Sequence, residues 1–129
     1  MKQETDRLLR NADRALAAAK TLLSEGDAEF ASGRAYYAML HAAQALLRER
    51  DLAYRKHSGV HGAFGRHFAK TGELDPKFHR WLLDGYDDRI RGDYDADPVF
   101  EEEAMAVRIA QAEEFIAEIR RYLSAGGGP

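Results

Sequence analysis

The sequence has no cysteine. That excludes disulfide staples, thiol catalysis and cysteine-built metal sites, and it fits a cytoplasmic protein. Proline is scarce, with three in 129 residues, so few positions force a helix to stop. No apolar run approaches the roughly 18 residues needed to cross a membrane. The opening residues, "MKQETDRLLRNADRALAAAK", are charged throughout and hold no apolar leader core. No membrane association is expected. Neither sign of charge dominates: 19 Lys and Arg stand against 22 Asp and Glu, a net charge of −3. This is not the strongly basic balance of a non-specific DNA binder, which leaves room only for a local basic site for RNA or a nucleotide.

What is abundant is Ala, Leu, Arg and Glu, all strong helix formers. A chain of this length buries roughly two thirds of the surface its unfolded form exposes, enough for one self-sufficient domain. No segment alternates apolar and polar residues as a strand would. The spacing predicts an all-α, up-and-down bundle of about five helices spanning residues 1–125, with residues 126–129 as a flexible tail.

The first helix runs from about Glu4 to Ser24, with Leu8, Ala12, Ala15, Leu16, Ala19, Leu22 and Leu23 as its apolar stripe and Gly26 as its stop. Asp27 caps the second, which reaches about Arg50 and packs antiparallel to the first. Ser58 is placed to cap a short third helix ending near Lys70. Asp75-Pro76 opens the fourth, whose inner stripe is Phe78, Trp81, Leu82 and Gly85. Asp97-Pro98 repeats that start signal for the fifth, with Met105, Ile109, Ala112, Ile116, Ile119 and Leu123 facing inward.

Three groups of residues carry candidate chemistry. On the second helix Phe30, Arg34, Tyr37, His41, Gln44 and Arg48 lie opposite the core stripe that contains Tyr36 and Met39. Arg34 and His41, two turns apart, either hold a helix contact or line a site for an anion or RNA. In "KHSGVHGAFGRHF", His57 and His61 are one turn apart, but no carboxylate stands at ligand spacing, so no metal site is expected. Gly59, Gly62 and Gly65 leave a strip free of side chains for close approach by a neighbouring helix. They form no phosphate loop and imply no cofactor.

The third group is "YDDRIRGDYDADP". Arg89 continues the inner stripe of the fourth helix, with Asp93 one turn on and Tyr86 one turn back. Gly85 gives Arg89 room to fold back. Arg89 and Asp93 then either pair under the cover of Tyr86 and Tyr94 and end the helix, or Arg89 is aimed at a phosphate. Asp87, Asp88, Asp95 and Asp97 are expected in solvent, Asp97 as a cap.

The blocks "GRAYYAMLHAAQALL", "KHSGVHGAFGRHFAKTGEL" and "DDRIRGDY", in this order over nearly the whole chain, resemble the signature blocks of HEPN-domain proteins, most closely the small stand-alone prokaryotic ones. The resemblance implies a helical bundle, commonly a homodimer, often paired with a minimal nucleotidyltransferase as a toxin–antitoxin or related system. Active HEPN ribonucleases carry an Arg followed after four to six residues by a His, brought together by two protomers to cut RNA without metal. Here the corresponding positions after Arg89 hold Tyr94, Asp95 and Ala96, and those after Arg91 hold Ala96, Asp97 and Pro98. A tyrosine beside this motif accepts nucleotidyl groups in some family toxins, and Tyr94 falls near that place.

The residues and the resemblance together suggest a nucleotide- or RNA-associated binding module. Its groove would be shaped by Arg34, His41, His57, Arg89, Asp93 and Tyr94. Two other readings stay open: a divergent metal-independent ribonuclease that uses Arg89 with His41, His57 or His61, and a purely structural dimerisation domain.

Overall fold

A computed structural model describes residues 1–126; the last three residues of the expected tail lie outside the described part. Five α-helices form the bundle: α1 Gln3–Ser24, α2 Ala28–Glu49, α3 His57–Phe64, α4 Pro76–Tyr94 and α5 Glu102–Ser124, with a single π-helical turn, Gly65–Ala69, continuing α3. The all-α bundle predicted from spacing is the fold observed, with no strand among the described residues.

Two of the expected caps are in place. The Asp27 carboxylate accepts the Phe30 N–H at 3.1 Å, and the Asp75 carboxylate accepts the Lys77 N–H at 2.9 Å, with Pro76 at the first helical position. Each satisfies a backbone donor that the helix itself leaves open. Gly26 and Gly72 take positive φ, at +86° and +78°, where a side chain would be strained.

Side-chain pairs fix the directions. Thr5 bonds Glu49 at 2.8 Å and Glu4 meets Arg48 at 2.9 Å, so α1 and α2 are antiparallel. Asp13 meets Arg120 and Lys20 meets Glu113, setting α1 against α5. Lys77 meets Glu114 and Asp88 meets Arg108, setting α4 against α5. Helix α2 packs on each of the other four and buries thirteen of its 22 residues, so it is the central rod that the width of its apolar face predicts.

Several local expectations are corrected. α3 begins two residues early, with Lys56 at the N-cap position, and Ser58 is an exposed first-turn residue, not a cap. His57 and His61 both reach the Tyr36 hydroxyl, and two side chains four apart meet one point only if both are helical. α5 begins at Glu102, and Asp97 caps nothing. The segment before it is held extended instead: an Arg91 guanidinium N–H donates to the Val99 carbonyl at 2.7 Å, and the Arg91 guanidinium lies 4.2 Å from the Phe100 ring centre. At the core face, Leu9, Thr5, Phe115 and Tyr122 are buried, whereas Leu8 and Leu123 pack only at its edge.

The three glycines of α3 and the π-turn do not admit a helix backbone. Gly59 is covered by the Tyr54 side chain, Gly62 by the Arg66 guanidinium, and Gly65 by the His79 ring, 2.8 Å from where a Cβ would stand. Gly85 likewise makes room for Met39 and Tyr36 of α2, not for Arg89. Past Gly65 the chain carries one extra residue per turn: the Lys70 N–H reaches the Gly65 carbonyl at 2.8 Å.

Candidate functional site

Consecutive tyrosines on α2 divide the labour. Tyr36 points into the core and is fully buried; Tyr37, about 100° further round the helix, stands half-buried at the edge. Tyr37 is the hub of the site. The Arg34 guanidinium sits 4.8 Å from its ring centre and the Arg89 guanidinium 4.6 Å. The His57 ring meets it edge-on at 5.8 Å and the His41 ring lies at 5.9 Å. Of the six residues singled out from sequence, four therefore converge on one ring: Arg34, His41, His57 and Arg89. Cation–π attraction holds each guanidinium against the ring face without consuming its hydrogen-bond donors.

Beneath this layer the Tyr36 hydroxyl lies 2.8 Å from His61 Nε2 and 3.2 Å from His57 Nδ1. A hydroxyl has one hydrogen, so it donates to one ring and accepts from the other, and the two imidazoles must adopt matching tautomers. The Tyr86 ring closes the group against His61 at 5.0 Å. Burial lowers the His61 pKa to about 4, helped by His57 and His79. Burial also lowers His57, with the Arg89 charge adding to it, and lowers His41 despite its bond to Gln44. Burial first, then Tyr37 and Tyr86, raises the Tyr36 pKa far above the usual phenol value. At neutral pH the cluster thus holds neutral histidines beside two permanent cations.

The other two candidates stand apart. Asp93 does pair with Arg89, at 3.6 Å, but its side chain is 50% exposed and does not point inward. Tyr94 is 79% exposed and shields nothing. The buried carboxylate of this stretch is Asp88, expected in solvent but only 9% exposed. It accepts from Arg108 Nε at 2.6 Å, with Arg91 at 3.5 Å. That pair anchors α4 to α5 directly under the site.

Two grooves meet at Arg34. One, about 410 Å³, runs between α2 and α4 along Glu29, Phe30, Arg34, Arg89 and Asp93. The other, about 400 Å³, runs between α1 and α2 along Asn11, Arg14, Arg34 and His41. Arg14 and Arg34 have no carboxylate partner among the described residues, so their charge faces the grooves. A pair of guanidiniums braced on one ring, at the rim of a groove, is an anion-binding arrangement.

Every residue of this cluster lies within the stretch that matches a known family. The HEPN domain profile matches residues 5–122. The chain belongs to the HEPN domain family. Two Methanocaldococcus jannaschii proteins, each named a putative toxin, are similar to it: one is 31% identical over 95% of this chain and 83% of its own length, the other 36% identical over 95% and 91%. A UPF0332 protein of Gloeobacter violaceus is 34% identical over 96% of this chain and 99% of its own. In this HEPN domain the block "GRAYYAMLHAAQALL" supplies Arg34, Tyr36, Tyr37 and His41, the second block His57 and His61, and the third Arg89. Sequence alone puts Tyr36 on the core stripe, Tyr86 over Arg89 and Asp88 in solvent, and gives none of them its place in this cluster. Their signal was available only in part: a tyrosine on a core stripe needs a buried partner for its hydroxyl, but the partner's identity is tertiary information.

Proposed function

We propose that this HEPN domain binds the phosphate of a nucleotide or of RNA at the Arg34–Arg89 groove and acts as the helical member of a toxin–antitoxin-like pair whose other member is a nucleotidyltransferase. The observation that carries the reading is the pair of guanidiniums sharing the Tyr37 ring, where Asp93 is the one carboxylate ion-paired to either among the described residues and Asp88 is taken up by Arg108. Two like charges on one ring repel, and a phosphate between them relieves that repulsion through charge-assisted hydrogen bonds. The names of the two archaeal relatives support the toxin side of the reading. A homodimer belongs to the same proposal, with Phe30, 64% exposed at the groove rim, as an apolar contact for the second copy.

Calorimetric titration with uridine monophosphate and with short RNA tests the groove. Arg34→Ala with Arg89→Ala lowers affinity at least tenfold while the helical circular dichroism stays unchanged; unchanged affinity refutes the proposal. Asp93→Asn frees Arg89 and raises affinity a few-fold. Co-expression with a minimal nucleotidyltransferase tests the partner: co-purification of the two supports the pair, and its absence counts against it.

One observation favours a second reading, a metal-independent ribonuclease. A neutral imidazole, His57, stands beside a phosphate-competent Arg89 and is backed by the Tyr36–His61 pair, the setting a general base needs. RNA cleavage in chelator that disappears in His57→Ala selects this reading, and intact RNA at high protein concentration rejects it.

A further inference from the structure

Charge is distributed unevenly along the chain. Residues 55–80 hold Arg55, Lys56, Arg66, Lys70, Lys77 and Arg80 against Glu73 and Asp75, and four of the five histidines, in a protein that is acidic as a whole. Lys77 is engaged by Glu114 at 2.8 Å. Arg55, Lys56, Arg66, Lys70 and Arg80 are all exposed, and none has a carboxylate partner among the described residues. Acidic residues are plentiful elsewhere on the surface, so five cations without a carboxylate partner within residues 55–80 give this segment a locally positive field.

The field has a shaped centre. A groove of about 580 Å³ opens between the π-turn and the start of α4, with Arg66 and Lys70 on one wall and the half-buried His79 ring on the other. His79 is held in place by its bond to the His61 carbonyl at 3.1 Å. Contacts along the α3–α4 seam run in antiparallel order, His79 on Gly65, Tyr86 on His61, and the Arg89 charge beside His57. The basic groove therefore lies at one end of the seam and the Arg34–Arg89 groove at the other. Ten residues of α4 separate His79 from Arg89, about 15 Å at 1.5 Å per residue. One strand of a stacked duplex rises about 3.4 Å per nucleotide, and an extended single strand rises more, so no more than about four to five nucleotides cover that distance.

We infer that the basic groove of Arg66, Lys70 and His79 is a second nucleic-acid subsite, so that the ligand of this protein is a single-stranded polynucleotide spanning both ends of the α3–α4 seam and not a lone nucleotide. The inference rests on the phosphate reading of Arg34 and Arg89 for its near end only. Successive phosphates of one strand can meet Arg66 and Lys70 in one groove and Arg34 and Arg89 in the other, whereas a mononucleotide fills one.

The test uses the whole chain with two probes, uridine monophosphate and a fluorescent twelve-nucleotide oligouridylate, against Arg66→Glu/Lys70→Glu. Both positions are exposed, and thermal melting confirms folding of the variant. The wild type binds the oligonucleotide at least tenfold more tightly than the mononucleotide, with the gain appearing between about two and eight nucleotides. The variant loses at least tenfold for the oligonucleotide and about 1.4 in the slope of log affinity against log salt, while its mononucleotide affinity is unchanged. Equal oligonucleotide binding by variant and wild type overturns the inference. So does polyaspartate of similar length displacing the oligonucleotide at equal concentration, since that marks an acidic protein as the partner. Absence of mononucleotide binding with the oligonucleotide loss intact overturns the Arg34–Arg89 reading alone.

Discussion

Two places in this bundle set arginine against tyrosine, and they end differently. Where α2 ends, Arg50 lies 5.0 Å from the Phe68 ring centre and 5.8 Å from that of Tyr122. Its guanidinium meets the Glu73 carboxylate at 2.8 Å and hydrogen-bonds the Tyr122 hydroxyl, which in turn donates to Glu73. Charge, ring and hydroxyl are closed on one another, tying α2, the π-turn and α5 together. Along the same helix, Arg34 and Arg89 share Tyr37 with one exposed carboxylate at the margin. The chemistry of the parts is the same; the difference is one well-placed glutamate. A closed cluster spends its electrostatics on holding the fold, and an open one keeps it for a ligand.

That contrast can be broken or sharpened by substitution. Of the substitutions, Arg50→Ala has the largest expected effect, a loss of about 2 kcal/mol in urea unfolding from the severed charge-assisted bonds and stacking, with ligand affinity unmoved. Acid comes next. His61 is held neutral in the fold, with its pKa at about 4, whereas the unfolded chain takes up the proton near pH 6.5. Its contribution is complete above that pH and is lost as pH falls toward 4, about 3 kcal/mol in all. A pH–stability curve as steep in His61→Gln as in the wild type would reject this. Tyr36→Phe leaves two imidazoles without their shared hydroxyl and costs about 1 kcal/mol in thermal or urea unfolding. Arg34→Ala is the smallest: stability stays within about 0.5 kcal/mol, because the side chain is exposed and unpaired, while nucleotide affinity drops. A large stability loss there would make the open cluster structural like the closed one.

Helices and two of their caps were legible because their causes are local. Asp27 and Asp75 act on backbone groups two or three residues away, and the apolar stripes follow the helical period. Arg34, His41, His57 and Arg89 were legible as candidates because a polar face on an otherwise apolar helix, and an arginine at the end of an inner stripe, are both visible in one dimension. What joins them was not. Tyr37 becomes a hub only when α4 delivers Arg89 to its ring. Asp88 sits among aspartates that look solvated, and its burial depends on Arg108, twenty residues away. The late start of α5 has the same origin. Asp97-Pro98 is a sound start signal, overridden by Arg91 gripping Val99 and Phe100. Asp93 and Tyr94 continue the helical spacing of the inner stripe, but at the end of α4 they face solvent, while Gly92 and Arg91 take the contacts with Phe100.

The π-turn at Gly65–Ala69 has a consequence for how this chain tolerates changes in length. A π-turn is an α-helix with one residue more than its hydrogen-bond ladder needs. Removing one residue there lets the ladder close as ordinary α-helix while the segments on either side keep their facing, so Phe64 and Phe68 stay near the core. The same deletion in the middle of α2 would turn everything beyond it by about 100° and swing Leu46 and Leu47 out of the interior. In this bundle the π-turn is the one described helical segment with a spare residue, a slip joint in an otherwise fixed register.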